Sequence, residues 1–201
     1  EADLIIIDTP SYRLYINPAD ITEDAEITAS YEDGKLSLET SIVLGLGLSP
    51  ISAKNLDFQT FKTADETIIA ARYNPVSGLI EGNIGNSGVY TVSENKKEFT
   101  DIGDYAKEVQ DAITFLAAKG IINGKSNTSY APSATITRAE TAALLVRVLG
   151  AVYKGEEGSF TDVSKANWFY ESAILSQKLG LIGGYTDGSF KGNNVITKNE
   201  L

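Results

Sequence analysis

The sequence predicts a two-part chain of the α+β class: an N-terminal antiparallel β-sandwich or barrel-like domain followed by an all-α helical region. Three observations carry that prediction. Apolar residues in the first half alternate with period two around an Asp-Gly pair. Those of the second half gather on single helical faces. The second half also repeats itself at a spacing of 60 to 61 residues. Residues 1–95 are expected to form the β domain, 96–150 a first repeat, and 151–201 a second, truncated repeat.

In the β half, Ile27, Ala29 and Tyr31 alternate with polar neighbours up to Asp33-Gly34, and Leu36, Leu38, Thr40 and Ile42 alternate after it. A primed turn needs positive φ and matches strand twist, so this is a hairpin. Further strands are expected at Leu4–Ile7, Tyr12–Ile16, Leu56–Phe61, Thr67–Tyr73, Leu79–Ile84 and Val89–Val92. Asn17-Pro18, Asn74-Pro75, Ser77-Gly78 and Asn86-Ser87-Gly88 supply turns between them. In the second half, Tyr105, Val109, Ala112, Ile113, Leu116 and Ala117 share a helical face that stops at Gly120. Ala142, Leu145, Val146 and Leu149 form another, ending at Gly150, and a third helix is expected over 168–179 with an apolar face left exposed, to be covered by association or by contact with the β domain.

The composition excludes much chemistry. The chain has no Cys, His or Met, hence no disulfide, thiol nucleophile, imidazole base, Ser-His-Asp triad or Cys/His zinc site. No cofactor is expected, and only oxygen ligands are available to a metal. Asp20, Glu23, Asp24 and Glu26 form the one dense acidic cluster, read as a solvated sheet edge with a calcium site as the alternative. The net charge of −10 disfavours nucleic acid and anionic lipid as partners. Residues 1–98 hold 16 acidic and 7 basic side chains, whereas residues 99–201 hold 11 and 10, so the second half does not repel an anionic ligand. No apolar run reaches the roughly 20 residues of a membrane span.

The repeat is specific in its residues. Phe99-Thr-Asp-Ile recurs as Phe160-Thr-Asp-Val, Gly120-Ile-Ile-Asn-Gly124 as Gly180-Leu-Ile-Gly-Gly184, and Tyr130 as Phe190. Ile136-Thr-Arg-Ala-Glu140 recurs as Ile196-Thr-Lys-Asn-Glu200. These units resemble the S-layer homology module of bacterial surface proteins, as do Trp168, the loop Gly184-Tyr-Thr-Asp-Gly-Ser-Phe190 and the charged lead-in Val92-Ser-Glu-Asn-Lys-Lys-Glu-Phe-Thr-Asp101. The resemblance covers residues 99–201; the β half resembles no family as strongly. It implies an extracellular chain at the cell surface or in an S-layer. It further implies grooves between neighbouring units that bind a pyruvylated or otherwise acidic secondary cell wall polysaccharide, and a non-catalytic anchoring role. The chain is then read as a piece of a longer protein, since it ends where the second unit's second helix should start.

Candidate ligand residues follow from the same resemblance, each with a plainer alternative. Thr137 and Glu140 form a capping box that fixes a helix start, with Arg138 in its first turn. A helix start presents free N–H groups, and an added guanidinium makes an anion site there; the alternative is a solvated or ion-paired Arg. Lys198 takes its place in the second unit, keeping charge but losing the planar fork. Trp168, the only Trp, offers a face to sugar C–H groups or else fills a core; Lys107 or Glu108 stands there in the first unit. Asp101 and Asp162 either line the groove or satisfy turn N–H groups. Gly124 and Gly184 either allow positive φ or close ligand approach, or simply end a helix, and Asp187 lies in a tight turn of the ligand loop. Phe99, Phe160, Tyr130 and Phe190 are read as core anchors. Two other functions compete: the β half as an adhesin or glycan-active enzyme with the repeats as tether, or as a self-associating lattice module.

Overall fold

The computed structural model describes residues 4–21, 23–197 and 200. It divides into two compact units, Glu1–Ala131 and Pro132–Leu201.

The first unit contains ten strands: β1 (Ile5–Asp8), β2 (Tyr12–Ile16), β3 (Ile27–Glu32), β4 (Lys35–Thr40), β5 (Leu44–Leu48), β6 (Gln59–Thr63), β7 (Ile68–Ile69), β8 (Arg72–Asn74), β9 (Leu79–Ile84) and β10 (Gly88–Glu94). They form two antiparallel five-stranded sheets, ordered β1-β2-β5-β9-β8 and β3-β4-β10-β6-β7. The period-two pattern builds the core: Leu14, Leu44, Leu46 and Ile80 from one sheet meet Leu36, Leu38, Phe61 and Tyr90 from the other in one buried cluster. The hairpin β3–β4 turns through Asp33 (φ 48°) and Gly34 (φ 77°). The segment expected as one strand over Thr67–Tyr73 is two, because β7 pairs with β6 in one sheet and β8 with β9 in the other.

Helix α1 (Lys107–Ala118) completes this unit. Its C-terminus is tied to the β part by polar contacts. Asn95 Nδ2 donates to the Ala118 carbonyl at 2.8 Å, and the Lys119 ammonium, 2% exposed, donates to the Gln59 carbonyl at 2.5 Å. Burial pushes the Lys119 pKa down to about 8, against the pull of the Asp57 charge. Gly120 follows with φ 67° and packs on Ile68.

The second unit holds α2 (Arg138–Leu149) and α3 (Tyr170–Lys178). The capping box forms as read: Thr137 Oγ1 accepts from the Glu140 amide at 3.2 Å, and Glu140 Oε2 accepts from the Thr137 amide at 2.9 Å. Gly150 ends α2 in the left-handed conformation. Contrary to the expected exposed face, Ala173, Ile174 and Leu175 of α3 are buried, and α3 packs on α2 around Phe160, Phe169 and Phe190.

The expectation of an all-α region over 99–201 is overturned. Three helices of 12, 12 and 9 residues are separated by long turn segments, and Thr137 and Val195 form an isolated antiparallel bridge. The turns are held by carboxylate-to-backbone hydrogen bonds, which helical periodicity does not encode.

Candidate functional site

The recurring motifs build the same loop twice. In the first copy, Asp101 accepts from the Tyr130 and Ala131 amides at 2.9 and 2.8 Å and from the Ser129 hydroxyl at 2.7 Å. In the second, Asp162 accepts from the Phe190 and Lys191 amides at 2.7 and 2.8 Å. Ala131 and Lys191 share the same left-handed φ, 59° and 55°. The amides of Tyr130 and Ala131 hold the Asp101 carboxyl down to about 2. Burial raises the Asp162 carboxyl, but its two amide donors prevail and the net shift is downward. Gly124 and Gly184 are not in the left-handed region; a Cβ at Gly124 would lie 2.5 Å from the Ser126 and Ser129 carbonyl oxygens and 2.6 Å from the Phe99 ring, and one at Gly184 2.7 Å from the Phe160 ring. Their bareness admits the protein's own aromatics.

Arg138 is turned inward, 3% exposed, and is not offered to solvent. Its Nε donates to the Phe190 carbonyl at 2.8 Å and its Nη2 to the Gly183 carbonyl at 2.7 Å, while Nη1 meets Glu200 Oε1 at 3.3 Å. The guanidinium lies 4.7 Å from the Tyr185 ring centroid and 5.3 Å from that of Phe190. Glu200 also accepts from the Tyr185 and Thr197 hydroxyls, which hold its carboxyl down to about 2. Backbone bonds from Arg138 N to Asn194 O (2.9 Å) and Ala139 N to Gly192 O (2.9 Å) complete the clamp. Asp187 caps the turn at the Ser189 amide (3.0 Å) and pairs with Lys191 at 3.1 Å. Lys198 lies outside the described residues.

Trp168 behaves differently, at 65% exposed. Its ring meets Phe169 edge-to-face at 5.5 Å, and Phe169 is buried against Phe190 at 5.9 Å. Beside it opens a cleft of about 350 Å³, lined by Tyr153, Lys165, Asn167, Tyr170 and Glu171. Tyr153 stacks edge-on against Tyr170 at 6.1 Å and donates its hydroxyl to the Glu156 carbonyl at 2.8 Å. The Asn167 carbonyl oxygen accepts from the Ser164 amide at 2.8 Å. The sequence singles out Trp168 but not these neighbours in the cleft. A signal was present: at the 61-residue spacing, Trp168, Tyr170 and Lys165 replace Lys107, Val109 and Asp104, so the cleft occupies positions where the repeats diverge. Among the described residues, no group of three or more acidic side chains is placed to hold a metal ion.

The sequence profile of the S-layer homology domain matches residues 98–142 and 159–201. The chain carries S-layer homology domains. Such domains attach proteins to the bacterial cell wall, and the location that follows for this chain is extracellular, at the cell surface. The surface-layer 125 kDa protein of Lysinibacillus sphaericus is 31% identical over 103 residues, covering 51% of this chain and 8% of its own length. The amylopullulanase of Thermoanaerobacterium thermosulfurigenes is 28% identical over 197 residues, 96% of this chain and 10% of that protein, so its likeness extends through the β half. The exoglucanase XynX of Acetivibrio thermocellus is 36% identical over 105 residues, 51% of this chain and 9% of that protein. The chain thus spans about a tenth of the length of these relatives. No solved structure matches it significantly. Among the described residues, no helix is long and apolar enough to cross a membrane.

Proposed function

We propose that the S-layer homology domains hold the protein to the wall by non-covalent, non-catalytic binding of an acidic secondary cell wall polysaccharide. The pair of domain matches carries this reading, and the near-neutral charge of residues 99–201 is compatible with an anionic polymer. In this reading Asp101, Asp162, Gly124, Gly184, Asp187 and Arg138 serve binding indirectly. They fix the loops, and Trp168 contacts the ligand. The domain organisation keeps the assignment of 1–95, 96–150 and 151–201 to a β domain and two repeats. The β half belongs to the displayed part that these domains tether, and the likeness to the amylopullulanase runs through it as well.

The test is sedimentation of the chain with purified sacculi before and after chemical removal of their accessory polysaccharide. Binding should be lost with the polymer. Undiminished binding to stripped sacculi sinks the proposal. Incubating the chain with glycans and assaying for cleavage checks the enzyme alternative, and no product is expected.

A further inference from the structure

We infer that β1 is a docking edge for a second copy of this chain, the two β1 strands pairing antiparallel about a two-fold axis at Ile6. The inference stands apart from the wall-polymer reading and concerns the β part alone.

β1 is an outer strand of its sheet, and Leu4, Ile5, Ile6 and Ile7 are 53%, 44%, 55% and 41% exposed. Ile5 and Ile7 stand in register with the buried Ile16 and Leu14, on the core side of the sheet. They nevertheless fall outside the buried core. The facing sheet ends at β3, whose Tyr31 meets Tyr12 of β2 at 6.5 Å, so β1 overhangs its rim. The four residues expose on the order of 400 Å², a large apolar patch for a monomer. Sheet edges in soluble proteins are blunted by charge, proline or shortness. The other three edges follow that rule. Thr28, Ser30 and Glu32 are the exposed residues of β3, β7 is two residues long, and β8 is three residues with Arg72, followed by Pro75. β1 carries one charge, Asp8, and Arg13 takes it up at 2.6 Å.

The backbone and the charges select the partner strand and its register. The Thr9 amide donates to the Tyr12 carbonyl at 3.0 Å, and bonded pairs alternate along an antiparallel ladder. Ile5 and Ile7 therefore bond to β2, while the N–H and C=O groups of Leu4, Ile6 and Asp8 face the open edge. A two-fold axis at Ile6 is the one placement that matches every residue from Leu4 to Asp8 with another of the same five. An axis at Asp8 would set two like charges opposite each other and bring Pro10 onto the ladder. With the axis at Ile6, Ile5 faces the partner's Ile7 on the overhanging side, and the two strands cover each other's uncovered face. Such a seam falls short of the roughly 800 Å² per partner of a stable complex, so its dissociation constant should lie roughly between 10 μM and 1 mM. Residues 1–98 hold 16 acidic and 7 basic side chains, which repel a second copy at long range, so salt should tighten the pair.

The experiment is sedimentation equilibrium of the full chain up to about 1 mM, in about 50 and about 500 mM salt. Dimers are expected, tighter by about two- to fivefold at the higher salt. Ile6→Lys sets two ammonium groups against each other at the axis and should weaken the pair by about tenfold or more. Val76→Lys, at a site 94% exposed in the loop between β8 and β9, should leave the pair intact. Cross-linking reads the register, since the chain has no Cys of its own. Under mild oxidation Ile6→Cys should join two chains, because the Cα atoms of a hydrogen-bonded pair lie about 5.5 Å apart. Ile5→Cys, two residues out of step with itself across the axis, should not. A monomer over the whole concentration range overturns the assignment. So do dimers that salt loosens, dimers that Ile6→Lys leaves untouched or Val76→Lys weakens equally, and equal cross-linking at the two positions.

Discussion

Arg138→Ala should unfold the second unit more readily and is a test of architecture. The side chain is 3% exposed, and its Nε donor serves the carbonyl of Phe190, itself fully buried. Orphaning that carbonyl costs about 1–3 kcal/mol. Losing the cation from the Tyr185 and Phe190 rings adds about 1–2 kcal/mol in a desolvated setting. Gly183 is an exposed residue, so water can replace the guanidinium at its carbonyl and the loss there is small. The expected loss is about 2–5 kcal/mol. Urea unfolding followed by Trp168 emission measures it, and amide exchange at Phe190 and Lys191, whose N–H groups Asp162 holds, should accelerate in step. Arg138→Lys keeps the charge but cannot serve two carbonyls and a carboxylate with one planar fork, so it should recover less than half of the loss. A midpoint that moves by less than about 0.5 kcal/mol, the scatter of ordinary surface changes, refutes the clamp.

Three further outcomes follow from the same geometry. Gly184→Ala pushes a Cβ to 2.7 Å from Phe160 and should cost about 1–3 kcal/mol. Gly183→Ala meets nothing within 4 Å and should cost less than about 0.5 kcal/mol, and equal thermal shifts for the pair count against close packing as the reason for the glycine. Because burial lowers the Lys119 pKa from 10.5 to about 8, the folded chain releases that proton first. Stability should therefore climb as pH rises from about 8 to 10.5; Lys119→Met should flatten that rise in denaturant titrations, and a slope that persists in the variant excludes Lys119 as its source. Asp101, held at about 2 against an ordinary 3.8, contributes stability above pH 4 that disappears as pH falls toward 2. Asp101→Asn should lower the melting temperature at neutral pH and blunt the acid transition, and an unaltered acid limb excludes this carboxylate.

What the sequence made legible was local. The hairpin at Asp33-Gly34, the capping box at Thr137 and Glu140, and the stop at Gly150 each depend on residues within a few positions of one another. The break between Ile69 and Arg72 was illegible, because the chain there passes from one sheet to the other and only the partners β6 and β9 decide it. The all-α reading failed for a related reason. Helical faces were visible over short stretches, but the segments between them are set by carboxylates reaching amides about 28 residues away, as Asp162 does to Phe190. Arg138 was placed correctly in the first turn of its helix, while the direction of its side chain depended on carbonyls 45 and 52 residues on.

The two repeats separate what builds the loop from what distinguishes one loop from another. Phe99 and Phe160, Asp101 and Asp162, and Gly124 and Gly184 are retained in both, and each is occupied with the protein itself. Each carboxylate is oriented by backbone amides, and a glycine whose open side is filled by an aromatic ring has no room for a ligand. The side chains that the loop does not need are the ones free to differ between the repeats. Trp168, Tyr170 and Lys165 are of that kind: they differ from their first-repeat counterparts, and Trp168 stands in solvent. A repeated motif read from sequence as a binding signature is, in this structure, tied to the protein's own backbone and aromatic rings, and that is a sufficient physical reason for it to recur.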